Sequence, residues 1–232
     1  PSAATEVTLL VDAALFTDVS VDAGASASAS TGSVGVSVAT TDLTRNVEAF
    51  IGAADVSALG EDGGDPAGIL VRATTNEHVL ANADGDTTAD LSVTASAVYN
   101  REKSTTDASI RDGAQVNVGV TGAAGQRIEV IADGTSDRTT AAGFSGDPDR
   151  AGIGAAAGVD LLEREVNARI GDGAELHAVD GVRVQATSVD RVSSDIAGSI
   201  LPELSFTPDI ATLAVTGSLS FVFLDSSTHA RI

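Results

Sequence analysis

Apolar and polar residues alternate along this chain with a period of two, and the alternation returns in recurring motifs. One motif reads VEAFIGAADV (47–56), TDASIRDGAQV (106–116), VNARIGDGAEL (166–176) and THARI (228–232). Its anchor isoleucines, Ile51, Ile110, Ile170 and Ile232, lie 59, 60 and 62 residues apart. Val47, Ala49 and Ile51 share one face, as do their equivalents, while Glu48, Asp107, Asn167 and His229 fall on the other. Such alternation predicts a half-buried strand. The Asp112-Gly113 and Asp172-Gly173 pairs that follow predict turns, because Asp and Gly tolerate positive φ.

Two further motifs keep step with the first. Leu9-x-Val11-x-Ala13, Ile69-x-Val71-x-Ala73, Ile128-x-Val130-x-Ala132 and Val182-x-Val184-x-Ala186 form the second. The third has the inward set Val34, Val36 and Val38; Val93, Ala95 and Ala97; Ile153, Ala155 and Ala157; and Val215, Gly217 and Leu219. Each unit of about 60 residues therefore carries three predicted strands in fixed order. The array divides into a partial repeat (1–46), repeats at 47–105, 106–165 and 166–227, and the start of another at 228–232. Gly60 to Pro66, Ser145 to Asp149 and Leu201 to Asp209 read as surface loops, rich in Gly, Pro and acids. Segment 160–169 has some helical character, but its equivalents in the other units are strand-like.

Small side chains make stacking necessary. A strand with an Ala/Val/Ile face buries little alone; laid in register on its equivalent it gains a hydrogen-bond ladder and like side chains meet like. The expected fold is all-β, a parallel β-solenoid of about 60-residue repeats with three strands each. An antiparallel β-sandwich or barrel is the alternative. The chain enters and leaves the pattern partway through a unit without a polar cap, so its expected partners are further copies of the repeat in the same polypeptide or end-to-end self-association.

Composition narrows the function classes. There are 33 acidic against 13 basic residues, a formal charge of −20, which repels nucleic acid and anionic lipid. Cysteine is absent, so neither a disulfide framework nor a thiolate metal site can form. No apolar run is long enough to span a membrane as a helix.

Ala168-Arg169-Ile170-Gly171-Asp172-Gly173-Ala174 and then Gly181-Val182-Arg183-Val184-Gln185-Ala186-Thr187-Ser188, followed by a long small-residue strand, resemble the repeats of giant bacterial filamentous adhesins, the leukotoxin-like and filamentous-haemagglutinin-like surface proteins. The first unit departs from them, reading Ile51-Gly52-Ala53-Ala54-Asp55 without Asp-Gly, and 201–210 replaces the usual Gly/Ala-rich run. The resemblance implies a bacterial secreted or cell-surface location and adhesive or scaffolding work.

Catalytic chemistry is not evident. His78, His177 and His229 stand in different registers with no ligand spacing. No nucleophile elbow, zinc-protease motif or phosphate loop occurs. Asp84-Gly85-Asp86 and Asp147-Pro148-Asp149 are weak calcium candidates, pairs of carboxylates two residues apart. Arg101, Glu102, Glu163, Arg164 and Glu165 read as an outward charged face, the set that a polysaccharide-degrading β-helix would use, but a single Tyr leaves little to hold sugar rings. The leading expectation is a structural or adhesive module with no catalytic residues and no cofactor. A glycan- or calcium-binding module comes second, and a polysaccharide-degrading enzyme third.

Overall fold

A computed structural model describes residues 6–58, 67–119, 126–200 and 213–232. The described residues form nine strands and no helix: β1 (Glu6–Ser28), β2 (Gly32–Ile51), β3 (Asp55–Val56), β4 (Ala67–Ile110), β5 (Gln115–Val116), β6 (Ile128–Ile170), β7 (Glu175–Leu176), β8 (Val182–Ile200) and β9 (Leu213–Arg231). Every pairing among them is parallel. The large sheet runs β1-β4-β6-β8, with β2 on β4 and β9 on β6; β3, β5 and β7 make a small second sheet. The antiparallel alternative is thereby excluded for these strands. The large sheet nearly closes into a barrel-like shape.

The register joins the equivalent motif positions. Ala49 pairs Ala108, which pairs Ala168, which pairs Ala230. Ile51, Ile110 and Ile170 follow the same rule, as do Val11, Val71, Val130 and Val184. Three separate strands per unit are not what forms, however. All three motifs of one unit lie on a single strand, β4 or β6, that is 44 or 43 residues long.

Such a strand is not straight. Cross-core contacts show that it doubles back: the hydroxyls of Thr87 and Thr94 meet, Ser104 donates to Glu77 at 3.1 Å, and the hydroxyls of Thr75 and Thr106 meet. Each long strand thus has an outbound leg, a bend and a return leg, with the two legs face to face. The bend coincides with a register irregularity between Ala89 and Leu91. There Ala89 pairs Pro148 and Leu91 pairs Ala151, so β6 carries one residue more than β4. A bulge is where a strand tolerates proline. Ser145 to Asp149, expected as a loop, are therefore strand residues leading into this bend. The expected loops at 60–66 and 201–209 lie outside the described residues, as does Pro1. Asp160 to Arg169 are strand.

At the far end of the return leg, Gly113 and Gly173 adopt φ of +70° and +68°, the left-handed conformation their turns require. The turns also stack, since the Asp172 N–H donates to Asp112 Oδ1 at 2.9 Å. Beyond them Asn117, itself at φ +57° and fully buried, accepts from the Ala58 N–H at 2.8 Å.

The space between the legs has three zones. Near the Gly turns, Val47, Ala49, Ile51, Ile69, Val71 and Ala73 with their registered partners make the main apolar core. Near the bend, a smaller cluster centres on Phe144, Ala81, Ala83 and Ala156. Between them the interior is charged.

Candidate functional site

The middle zone gathers three arginines and four carboxylates from several strands: Arg45 on β2, Glu77 and Glu102 on β4, Arg138, Asp160 and Arg164 on β6, and Asp190 on β8. Arg164 Nη2 donates to Glu77 Oε2 at 2.6 Å and to Glu102 Oε1 at 3.0 Å. Arg138 Nη1 donates to Glu102 Oε2 at 3.1 Å, and Arg45 Nη1 lies 2.7 Å from Glu77 Oε1. Asn100 Nδ2 donates to Asp160 Oδ1 at 3.0 Å, and Arg164 Nε stands 3.1 Å from Asp190 Oδ1. The side chains of Glu77, Glu102 and Arg138 are fully buried. Gly134 makes this possible: a side chain there would meet the Arg164 guanidinium at 3.1 Å and Val166 at 2.8 Å.

The two glutamates respond in opposite directions. Burial, then a hydrogen bond with Glu102 and that neighbour's charge, push Glu77 up to about 7, against the pull of Arg164 and Arg45. Burial also pushes Glu102 up, but the hydrogen bond from Glu77 and the charges of Arg138 and Arg164 outweigh it and hold Glu102 below its usual range. With a proton on Glu77, three guanidiniums face three carboxylates and the interior is neutral. Isolated buried charge costs several kcal/mol, so near-neutrality is what lets the network exist.

The expectation that Arg101, Glu102, Glu163, Arg164 and Glu165 form one outward face is therefore corrected. Glu102 and Arg164 are 1% and 2% exposed and face the core, while Arg101, Glu163 and Glu165 point out on the alternate positions. Lys103 pairs with Glu163 at 2.7 Å on that outer face. Glu77 and Glu102 are closed off from any polymer substrate.

The third motif is corrected too. Val34, Val36 and Val38 are 65%, 59% and 56% exposed, and Ile153, Val215 and Leu219 are similarly open. Inside stand Ser33, Ser37, Ser92, Thr94, Ser96, Gly154 and Ala156. The reason is width. Phe144 fills the gap between the legs so completely that a Cβ on Gly154 across from it would come within 2.2 Å of its ring, as would one on Gly198, its neighbour in register. Ile196 excludes one on Gly158 in the same way, at 2.4 Å. Only small inner residues fit opposite these side chains, and the apolar ones face out. The outer face of the return leg, between Leu91 and Tyr99 and across the registered residues of β2, β6 and β9, carries no charged side chain.

The calcium candidates Asp84, Asp86 and Asp147 share one outer face, Asp147 two residues along from Asp86's partner on the neighbouring strand. Asp84 and Asp86 are exposed on the outbound leg, and Asp86 accepts from Ser145 Oγ at 2.8 Å. Asp147 on β6 pairs with Thr88 on β4; the side chain of Asp149 lies outside the described residues. Among the described residues no three His, Asp or Glu converge as metal ligands. His78 Nδ1 lies 3.1 Å from Asp18, and the three histidines remain apart.

The chain matches no protein-family model, no curated protein and no solved structure.

Proposed function

We propose that this chain is a structural and adhesive module of a long extracellular repeat protein, built as a parallel β-solenoid whose rung is about 60 residues. The observation that carries the reading is the register: β4 and β6 pair from Ile69–Ile128 to Ile110–Ile170, and each position meets the same motif position one unit away. A fold made of interchangeable rungs sets length and presents a repeated outer surface, which is the work of a spacer or an attachment fibre. The likeness to filamentous adhesins supports the bacterial surface location. The burial of Glu77, Glu102 and Arg138 argues for a structural role of these charges rather than a catalytic one.

Two measurements test the proposal. Deleting 106–165 removes one rung in phase, and the shortened chain should keep its β circular dichroism and cooperative unfolding. Deleting 106–135, half a rung, should abolish both. Equal tolerance of the two deletions would sink the solenoid. For function, beads coated with the chain should resist shear on glycan-coated or bare surfaces while leaving polysaccharides intact. Turnover of a polysaccharide would replace the adhesive reading with an enzymatic one.

A further inference from the structure

We propose that the outer face of the return leg is a self-association surface, on which a second copy of this chain docks sheet to sheet. This inference stands independently of the adhesive reading. The face is set apart by its lack of charge. In a chain with 46 charged residues and a net −20, every outward position from Leu91 to Tyr99 and its registered partners is uncharged. Two copies meeting through the outer face of the outbound leg, which carries Asp12, Asp18, Asp84 and Asp133, bring like charges together; here they do not. Exposed apolar side chains of this density on one sheet face mark an interaction site.

Its size fits a dimer. Strands lie about 4.8 Å apart and rise about 3.3 Å per residue, so four strands over nine residues present roughly 550 Å² per copy. Two copies together reach about 1,100 Å², at the threshold of a specific interface.

Its relief is self-complementary. On β4 and β6, Val93 and Ile153 form a ridge, and Ala97 and Ala157 form a furrow on the far side of Ala95 and Ala155. A twofold axis along the stack through the Ala95 column reverses the strands and sets each ridge over the partner's furrow. On β2 and β9 the same operation opposes Val34 with Val38 and Val215 with Leu219, closing the two ends with larger side chains. The rims also match. Asp90–Arg150 borders one side of the face and Asp42–Arg101 the other, so the twofold brings mixed-charge rims together. Isologous pairing of this kind is the commonest symmetry of soluble dimers.

The test uses the intact chain in sedimentation velocity and light scattering across a concentration series. The expected result is a monomer–dimer equilibrium. Ala95→Asp with Ala155→Asp, both exposed-face changes, should raise the dimer dissociation constant at least about thirty-fold by placing unpaired charge in the interface. Thr74→Asp with Thr135→Asp, on the outer face of the outbound leg, adds equal charge and should change it little. Circular dichroism checks that all variants fold. Because the chain lacks cysteine, Ala95→Cys gives a second readout: next to the axis, a short bismaleimide should join two copies, and with Thr74→Cys it should not. A dimer indifferent to Ala95→Asp/Ala155→Asp would assign association to another surface, such as the stack ends, and overturn the proposal. So would a chain that stays monomeric at every concentration. Flotation with neutral phosphatidylcholine vesicles, abolished by the same aspartates, would give the face to lipid and equally overturn it.

Discussion

Replacing Glu77 by Gln isolates the proton that neutralises the interior. Gln keeps the size of the side chain and its capacity to donate to Glu102, but it cannot ionise. In the folded chain Glu77 titrates at about 7, against an ordinary 4.5. A separation of about 2.5 units at 1.36 kcal/mol each corresponds to roughly 3 kcal/mol. The folded value is the higher one, so between these pH values the native state holds a proton that the unfolded chain has released. The stabilisation is complete below about pH 4.5 and is lost as pH rises through 7. Glu102 works in the other direction, since its lowered pKa adds stability that disappears only as pH falls below the usual carboxylate range. Urea unfolding followed by circular dichroism at intervals from pH 5 to 8 reads the result. The wild-type chain should lose about 3 kcal/mol across this window, the E77Q chain much less, and E77Q should be the more stable of the two at pH 8. Parallel pH profiles for the two chains, or wild-type stability that rises from pH 5 to 8, would refute the reasoning.

Arg164→Met should cost about 3–5 kcal/mol at neutral pH, because it strands Glu77 and Glu102 without their shared guanidinium; chemical denaturation measures it. Gly154→Ala should destabilise by about 1–3 kcal/mol through collision with the Phe144 ring, and adding Phe144→Leu should recover part of that loss, a coupling visible in a double-mutant cycle of melting curves. Millimolar Ca²⁺ should leave the melting temperature unchanged, since among the described residues no three acidic or histidine side chains converge; a large rise would promote the calcium-binding module instead.

The stacking of like on like was legible in the motifs. Val47, Ala49 and Ile51 lie where period two and self-similarity put them, buried and in register with their equivalents. The inversion of the third motif was legible too, though less openly. Val93 and Ala108 are an odd number of residues apart, as are Val34 and Ala49, and on one uninterrupted strand such residues face opposite ways. The rule that apolar residues point inward overrode that parity. It failed because the inner cross-section near the bend admits Ser, Thr, Gly and Ala opposite Phe144. The same parity puts Glu102 inside with Ala108. What no local pattern reveals is that Glu77, Glu102, Arg138 and Arg164 meet, for they come from opposite legs of two different strands and are joined only by the fold-back.

Parallel register also fixes how the chain must find its structure. The ladder partner of Ile110 is Ile51 on one side and Ile170 on the other, with no hairpin partner in between. Closing a loop of this length costs about 4 kcal/mol of chain entropy before any ladder bond forms. The bend beside Thr87 and Thr94 is local but offers few contacts to hold it. Folding therefore waits on the first union of two long strands such as β4 and β6, on the slow timescale of chains dominated by distant contacts. After that union β8 and β9 meet a ready-made edge of β6 and pair along it residue by residue.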